Sequence, residues 1–397
     1  MVMVKDLTQL TLKDLWKEVK DEEDWWGDIN ERVLGIVKLI LEGSLEEELL
    51  EELQVSRYSR SKFRKGYRNG YYVRDLYTMF GVIKSLRVPR ARQRYDSRIL
   101  PHYQRRQEEI NRMARDMFLA GVSTRRVGKI LTEIKGENIS AQTVSRIALS
   151  LDAEVERFHR RQLTDKYQYL FLDGICLRVK GANRVNKRHV LCAYGISCDG
   201  KKEIISFRQA PSESEAQWEA FLSDLYERGL EGNCLCLIIT DGCPGLHRAL
   251  ETVYPYINKQ RCWVHKLRNV TNKVRRRDID ECMAGARLIY SADCRRKAVE
   301  HFRDWKARWE ILYPNAVNCL EKDLDELLSF FDMTKEHWRK VRTTNVIERA
   351  FREVRRRVRP MSCFTNPKSV ERIIYGVINH LNKSWEEKPF VKFTQNY

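Results

Sequence analysis

The fold is decided by the stretch Tyr167-Gln168-Tyr169-Leu170-Phe171-Leu172-Asp173, a mostly apolar and aromatic run that ends in an acid. Its composition and its lack of helical periodicity predict a buried strand. Further strands are predicted at 190–196 and 203–207. A predicted amphipathic helix follows, and then the apolar run 234–240, which also ends in an acid, Asp241. The order of three strands, a helix and a strand predicts an α/β sheet domain.

A third acid lies in a predicted helix over 343–360, which begins at two threonines that are candidate N-caps and ends at Pro360. The eleven residues after Glu348 include six basic residues and one acidic residue. That imbalance favours a helix that binds a polyanion. The alternative is an ordinary surface helix with Glu–Arg pairs three or four residues apart.

Asp173, Asp241 and Glu348 are therefore the candidate catalytic residues and metal ligands. Carboxylates at the ends of neighbouring strands can approach one another, and a helix packed over those ends can add a third. Three such carboxylates suit two Mg²⁺ ions, with Mn²⁺ as a substitute, in an in-line phosphoryl displacement. For either aspartate alone, the alternative is that it caps the element that follows.

The charge, the apolar runs and the cysteines limit the classes of protein that the sequence fits. The 397 residues carry a formal charge of +18, and the apolar runs are too short for a membrane span. Eleven cysteines at irregular spacing, with no CxxC pair, predict reduced thiols in a cytoplasmic, nucleoid-associated protein. A membrane partner is not expected.

The charge is distributed unevenly along the chain. Residues 1–54 hold six basic and fifteen acidic residues, whereas 55–107 hold fifteen basic and two acidic residues. A basic block of this density with interleaved tyrosines predicts binding to DNA phosphates, and a merely soluble basic surface is the alternative. The acidic module at 1–54 is predicted to be helical, and it suits a protein contact, a shield for the basic block or a cap packed on its neighbours.

Residues 104–160 are predicted to form three helices, with Ser123 and Ser140 as caps for the second and third. Exposed polar residues near the start of the third helix indicate a helix-turn-helix DNA-binding domain, although the predicted connection is long. A plain three-helix bundle is the alternative. The candidate DNA-binding residues of the whole chain are Arg90, Arg92, Arg125, Arg126, Gln142, Ser145, Arg146, Arg352, Arg355 and Arg356.

Six motifs in collinear order resemble the blocks of the Mutator-like DDE transposases of bacterial insertion sequences, which belong to the RNase H-like superfamily. The resemblance covers about 66–385. Its motifs are Tyr169–Gly174, Thr240–Leu246, Thr344–Arg349, Trp218–Leu230, Gln260–His265 and Gly121–Arg125.

The resemblance implies an RNase H-like catalytic core, a mixed sheet with flanking helices, interrupted by an all-α insertion and preceded by a mainly helical DNA-binding region. Asp173, Asp241 and Glu348 would hold the metal ions. Cys262 and His265 match the family's Cys-x2-His block, for which we expect a structural or DNA-positioning role in preference to zinc. Five domains are predicted. They are the acidic helical module 1–54, the basic hairpin-containing DNA-binding segment 55–103, the helix-turn-helix domain 104–160, the catalytic domain 161–265 with 341–397, and the helical insertion 266–340.

The predicted function is transposition: a homodimer binds the terminal inverted repeats of an element, cleaves DNA and joins the freed 3′-OH to target DNA. Two alternatives stay open. One is an RNase H-like nuclease or resolvase, and the other is a non-catalytic helix-turn-helix regulator.

Overall fold

The computed structural model describes residues 25–55, 59, 62–101, 104–135, 139–180, 184–359, 363–364 and 366–390. It divides into two compact units, Met1–Ala148 and Leu149–Tyr397. Residues 1–24 of the predicted acidic module and the predicted helix stop at Pro360 lie outside the described residues.

In the first unit, a long helix packs on a β-hairpin. Helix α1 (Trp25–Leu53) buries leucines spaced four apart, and Leu45 joins the core formed by the antiparallel strands β1 (Arg68–Thr78) and β2 (Gly81–Ala91). Acidic side chains of the helix meet the basic hairpin directly. Glu46 pairs with Arg68. The described part of the acidic module is therefore a helix that shares a core with the basic hairpin.

Three helices complete this unit: α2 (Glu108–Leu119), α3 (Thr124–Lys135) and α4 (Ala141–Leu149). The Ser140 hydroxyl accepts a hydrogen bond from the Thr143 N–H at 3.1 Å, which caps α4 as predicted. Their apolar faces form one core. Residues 136–138 of the connection between α3 and α4 lie outside the described part of the chain.

The second unit contains a mixed five-stranded sheet in the order β5-β4-β3-β6-β7, and the α/β class is confirmed. Strands β3, β4 and β5 are antiparallel neighbours, whereas β6 and β7 run parallel to β3. The strands are β3 (Tyr167–Lys180), β4 (Val185–Ser197), β5 (Lys202–Ala210), β6 (Leu237–Thr240) and β7 (Lys259–Arg261).

One predicted boundary is wrong, because β3 does not end at Asp173. The strand continues as an antiparallel partner of β4 to Lys180, and Asp173 is paired with Cys192 in its middle. Beyond Asp173, buried Ile175, Leu177 and Val179 alternate with more exposed side chains, so the extension has one covered face.

Helices cover the sheet, and several come from the region between Asp241 and Glu348. On one face, α6 (Glu215–Glu227) and α7 (Pro244–Val253) pack their apolar side chains onto the central strands. The helices are α5 (Leu151–Arg160), α6 (Glu215–Glu227), α7 (Pro244–Val253), α8 (Trp263–Thr271), α9 (Ile279–Ser291), α10 (Arg295–Trp309), α11 (Pro314–Glu321), α12 (Leu324–Leu328), α13 (Trp338–Val341), α14 (Asn345–Val358) and α15 (Pro367–Glu386). Within the described ranges, none of the helices has the length and apolar character needed to cross a membrane.

Candidate active site

The strand register places the two aspartates at equivalent points of neighbouring strands. Leu172 on β3 is the last residue paired with β6, opposite Thr240, so Asp173 and Asp241 each come one step after this pair. Asp173 is buried and Asp241 is half-buried. The two acids are therefore near each other because both follow the last β3–β6 pair, where β6 ends but β3 continues.

Glu348 lies in the first turn of α14, whose apolar face is buried through Ile347, Phe351 and Val354. The glutamate side chain is 32% exposed and lies 3.5 Å from His265, measured between Oε1 and Nε2. Thr344 occupies the N-cap position, but its side chain makes no capping hydrogen bond there. The predicted N-cap position is therefore confirmed, but the Thr344 hydroxyl is used elsewhere.

The Thr344 hydroxyl is fully buried among the groups that surround Glu348. Its Oγ1 lies 3.3 Å from the Cys262 Sγ, 3.4 Å from the His265 Nδ1 and 3.4 Å from the Glu348 Oε1. The Thr344 N–H also donates to the Cys262 sulfur at 3.3 Å. One hydroxyl proton serves either the sulfur or the carboxylate, so Thr344 links the Cys-x2-His motif to the glutamate.

The main chain connects this group to Asp241. The Cys262 N–H donates to the Thr240 carbonyl at 2.8 Å, and the Trp263 N–H donates to the Arg342 carbonyl at 3.1 Å. Cys262 therefore sits between the end of β6 and the turn that precedes α14. It is 1% exposed, which makes it part of the packing.

Electrostatics couple the acids to one another. Burial raises the pKa of Asp173 to about 7, and the neighbouring charge of Asp241, with a smaller effect from Glu348, adds to the rise. The hydrogen bond with Cys262 raises the pKa of His265 against the opposing effect of burial. Burial opposes ionisation of Cys262, but hydrogen bonds from His265 and Thr344 outweigh it and lower the pKa of the thiol.

The donor chemistry of the three acids fits a hard cation. All three offer carboxylate oxygens, which Mg²⁺ prefers, and the charges of Asp241 and Glu348 add to the effect of burial on the pKa of Asp173, so the three acids interact. Among the residues that the structure describes, no three His, Cys, Asp or Glu side chains are gathered as a ready metal-binding group.

The predicted DNA-binding residues are all on the surface of their units. Along α14, Arg352 and Arg355 are exposed, and so is Arg356, which also pairs with Glu353 at 2.8 Å. Arg357 is different, because it is buried and burial lowers its pKa to about 10. In the first unit, the exposed predicted residues are Arg90, Arg92, Arg125, Arg126, Gln142, Ser145 and Arg146.

Two features beside the acids escaped prediction from the sequence. The first feature is Glu213, which lies beside Gly174, the residue that follows Asp173. A Cβ on Gly174 would stand 2.4 Å from the Glu213 Oε1, and Glu213 pairs with His189 at 2.8 Å. The second feature is Arg261, next to Cys262, which pairs with Asp323 at 3.1 Å and with Glu326 at 2.5 Å. For these ion pairs, the sequence shows only that residues of opposite charge are present at positions far apart along the chain.

The chain matches a known protein family over most of its length. Residues 8–388 match the family model described as "Transposase, Mutator family", and the chain belongs to that family. It is 32% identical over 353 residues to the transposase for insertion sequence element ISRM5 of Rhizobium meliloti, covering 89% of this chain and 88% of the relative. It is 30% identical over 360 residues to the transposase for insertion sequence element IS256 in transposon Tn4001 of Staphylococcus aureus, covering 88% and 90%.

Proposed function

We propose that the protein transposes an insertion sequence by metal-dependent cleavage of DNA at the element's ends, followed by joining of the 3′-OH to target DNA. The observation that carries this proposal is that Asp173 and Asp241 each follow the last β3–β6 pair, and that the charges of Asp241 and Glu348 both act on Asp173, within a chain of the transposase family. The mixed sheet and the helices between Asp241 and Glu348 support an RNase H-like core interrupted by an insertion at 266–340.

Asp173, Asp241 and Glu348 would hold two divalent cations, Mg²⁺ or Mn²⁺. Such ions supply an activated hydroxyl nucleophile and neutralise charge on the leaving oxygen. The chain itself fixes the ligands: the sheet holds Asp173, and Thr344 and His265 hold the Glu348 carboxylate. Arg352 and Arg355, one and two turns along α14 from Glu348, would bind phosphates on either side of the cleaved bond.

Residues 55–160 would bind the terminal inverted repeats, with 104–160 acting as a helix-turn-helix domain. The capped and exposed start of α4 supports a recognition role for Gln142, Ser145 and Arg146. On the hairpin, Arg87 lies 4.0 Å from the centre of the Tyr71 ring, and Arg90 and Arg92 are exposed nearby in sequence, which supports backbone phosphate contacts. Two ends must be processed together, so we propose a homodimer.

A strand-transfer assay tests this function. Purified protein is incubated with Mg²⁺, a labelled duplex carrying the terminal repeat that flanks the gene, and a plasmid target. Transposition predicts a labelled plasmid product. Cleavage without joining would favour the nuclease or resolvase alternative. Specific binding without metal-dependent cleavage would favour the regulator.

A further inference from the structure

A cavity of about 780 Å³ in the second unit lies beside the start of α14, and the proposed cleavage chemistry does not use it. Its walls come from β4, β5, α8, α9, α13, α14, α15 and the segment that follows α15. The lining includes Trp263, Thr343 and Asn345, which are chain neighbours of Cys262 and Thr344. The cavity is therefore lined by the chain segments that carry Cys262 and Thr344.

The charges in the cavity favour an anion. Five basic side chains line it against a single acid, Glu336. Burial lowers the pKa of Lys202, and repulsion from Lys340, Arg349 and Lys388 lowers it further. A negatively charged ligand would offset the repulsion among these cations, and this stabilisation is greatest where the cations are partly buried.

Aromatic rings stand among these cations. The Lys202 Nζ lies 4.2 Å from the centre of the Phe390 ring and 5.8 Å from that of Trp385. The Lys340 Nζ also lies 4.2 Å from the Phe390 ring. Elsewhere in the lining, the Arg342 guanidinium lies 4.7 Å from the centre of the Tyr290 ring. Phe390, Trp385 and Tyr290 are all half-buried, so parts of these side chains remain accessible.

This combination fits the chemistry of an unpaired nucleotide. A phosphate alone would use the lysines but not the rings, and a base inside a duplex has both faces covered by its neighbours. Single-stranded nucleic acid presents both a phosphate and a free base face, and proteins bind it with basic grooves and aromatic platforms.

We propose that this cavity binds an unpaired nucleotide of DNA next to the strand that is cut, with its base on the rings and its phosphate at Lys202 and Lys340. The identity of the biological ligand, DNA beside a cleaved strand, rests on the proposed function. The binding itself requires no cleavage.

Photocrosslinking tests the proposal with the full chain. The probe is a single-stranded ten-nucleotide oligo(dT) with one central 5-iododeoxyuridine, and EDTA excludes metal-dependent reactions. We expect an adduct that mass spectrometry maps to Tyr290, Trp385 or Phe390. Lys202→Ala with Lys340→Ala should reduce this adduct at least five-fold. Because two phosphate contacts are lost, the slope of log affinity against log salt should fall by about 1.4.

The matched control is Lys297→Ala with Lys322→Ala, two exposed lysines elsewhere in this unit, which should leave the adduct unchanged. Phe390→Leu keeps the apolar volume but removes the ring, and it should reduce the adduct while the thermal unfolding curve is retained. Adducts confined to the basic hairpin, or equal losses in the control, would overturn the inference. A protein that crosslinks but cannot cleave would refute only the proposed function, and one that cleaves and joins without this adduct would refute only the cavity.

Discussion

Removing the Thr344 hydroxyl is expected to impair catalysis more than stability. Thr344→Val keeps the shape of a fully buried side chain but takes away the group that lies within 3.4 Å of Cys262, His265 and Glu348. These contacts are long, so we expect a loss of about 1–2 kcal/mol in the free energy of unfolding. In a unit of this size that corresponds to a fall in Tm of about 2–8 °C. Because the Glu348 carboxylate loses a positioning partner, metal-dependent cleavage should fall about 10- to 100-fold.

The assay compares single-turnover cleavage rates at saturating DNA with thermal unfolding of the same samples. Thr344→Ser retains the hydroxyl and should restore most of the activity, whereas Thr252→Val makes the same change at an exposed residue of α7 and should cost little. Full activity in Thr344→Val would refute the positioning role. An equally large loss in Thr344→Ser would attribute the effect to the missing methyl group.

Three further outcomes are expected. Leu49→Ala should destabilise the helix–hairpin module by about 2–5 kcal/mol in urea unfolding, because Leu49 is fully buried, whereas exposed Leu39→Ala should not. Although burial opposes it, hydrogen bonds from His247 and Arg261 lower the pKa of Glu326. The stability from these contacts of Glu326 should be fully present above about pH 4.3, the ordinary pKa of a glutamate, and lost as the pH falls through the lowered pKa, so Glu326→Gln should lower Tm more at pH 6 than at pH 3. Arg146→Ala should weaken binding to the terminal repeat more than to random duplex, whereas Arg92→Ala should weaken both alike; equal losses for Arg146→Ala would sink its recognition role.

Deletion of residues 1–54 is a poor test of the acidic module. Leu45, Leu49 and Leu53 are fully buried, so truncation would expose the hairpin's core as well as remove charge. Glu46→Gln is the cleaner change, since it breaks the pair with Arg68 and leaves the helix in place. The sequence showed the acidic and basic blocks, but it could not show that they share a core.

Much of the second unit could be predicted because local patterns determine it. The apolar runs of the sheet and the stripe on α14 are short-range signals, and the elements formed near the expected residues, as did α4 in the first unit with its cap at Ser140. The end of β3 was misjudged at Asp173, although Ile175, Leu177 and Val179 already showed the alternation of a strand with one covered face.

The surroundings of Glu348 could not be predicted in this way. Thr344 was expected to cap α14, yet its hydroxyl bonds across 82 positions to Cys262. The partners of Arg261 likewise come from residues more than 60 positions away. Such contacts depend on how the helices after β7 pack against the sheet, which periodicity and capping signals do not encode.

Metal-dependent cleavage by variants of the three acids tests the central claim most directly. Asp173→Asn, Asp241→Asn and Glu348→Gln preserve size and remove one negative charge each. Cleavage of the terminal-repeat duplex in Mg²⁺ should fall at least about 1,000-fold in every variant, equivalent to a loss of about 4 kcal/mol in transition-state stabilisation. Affinity for the same duplex should change less than about three-fold, because the proposed recognition helix lies in the other unit. Wild-type cleavage by any one of the three variants would contradict the account.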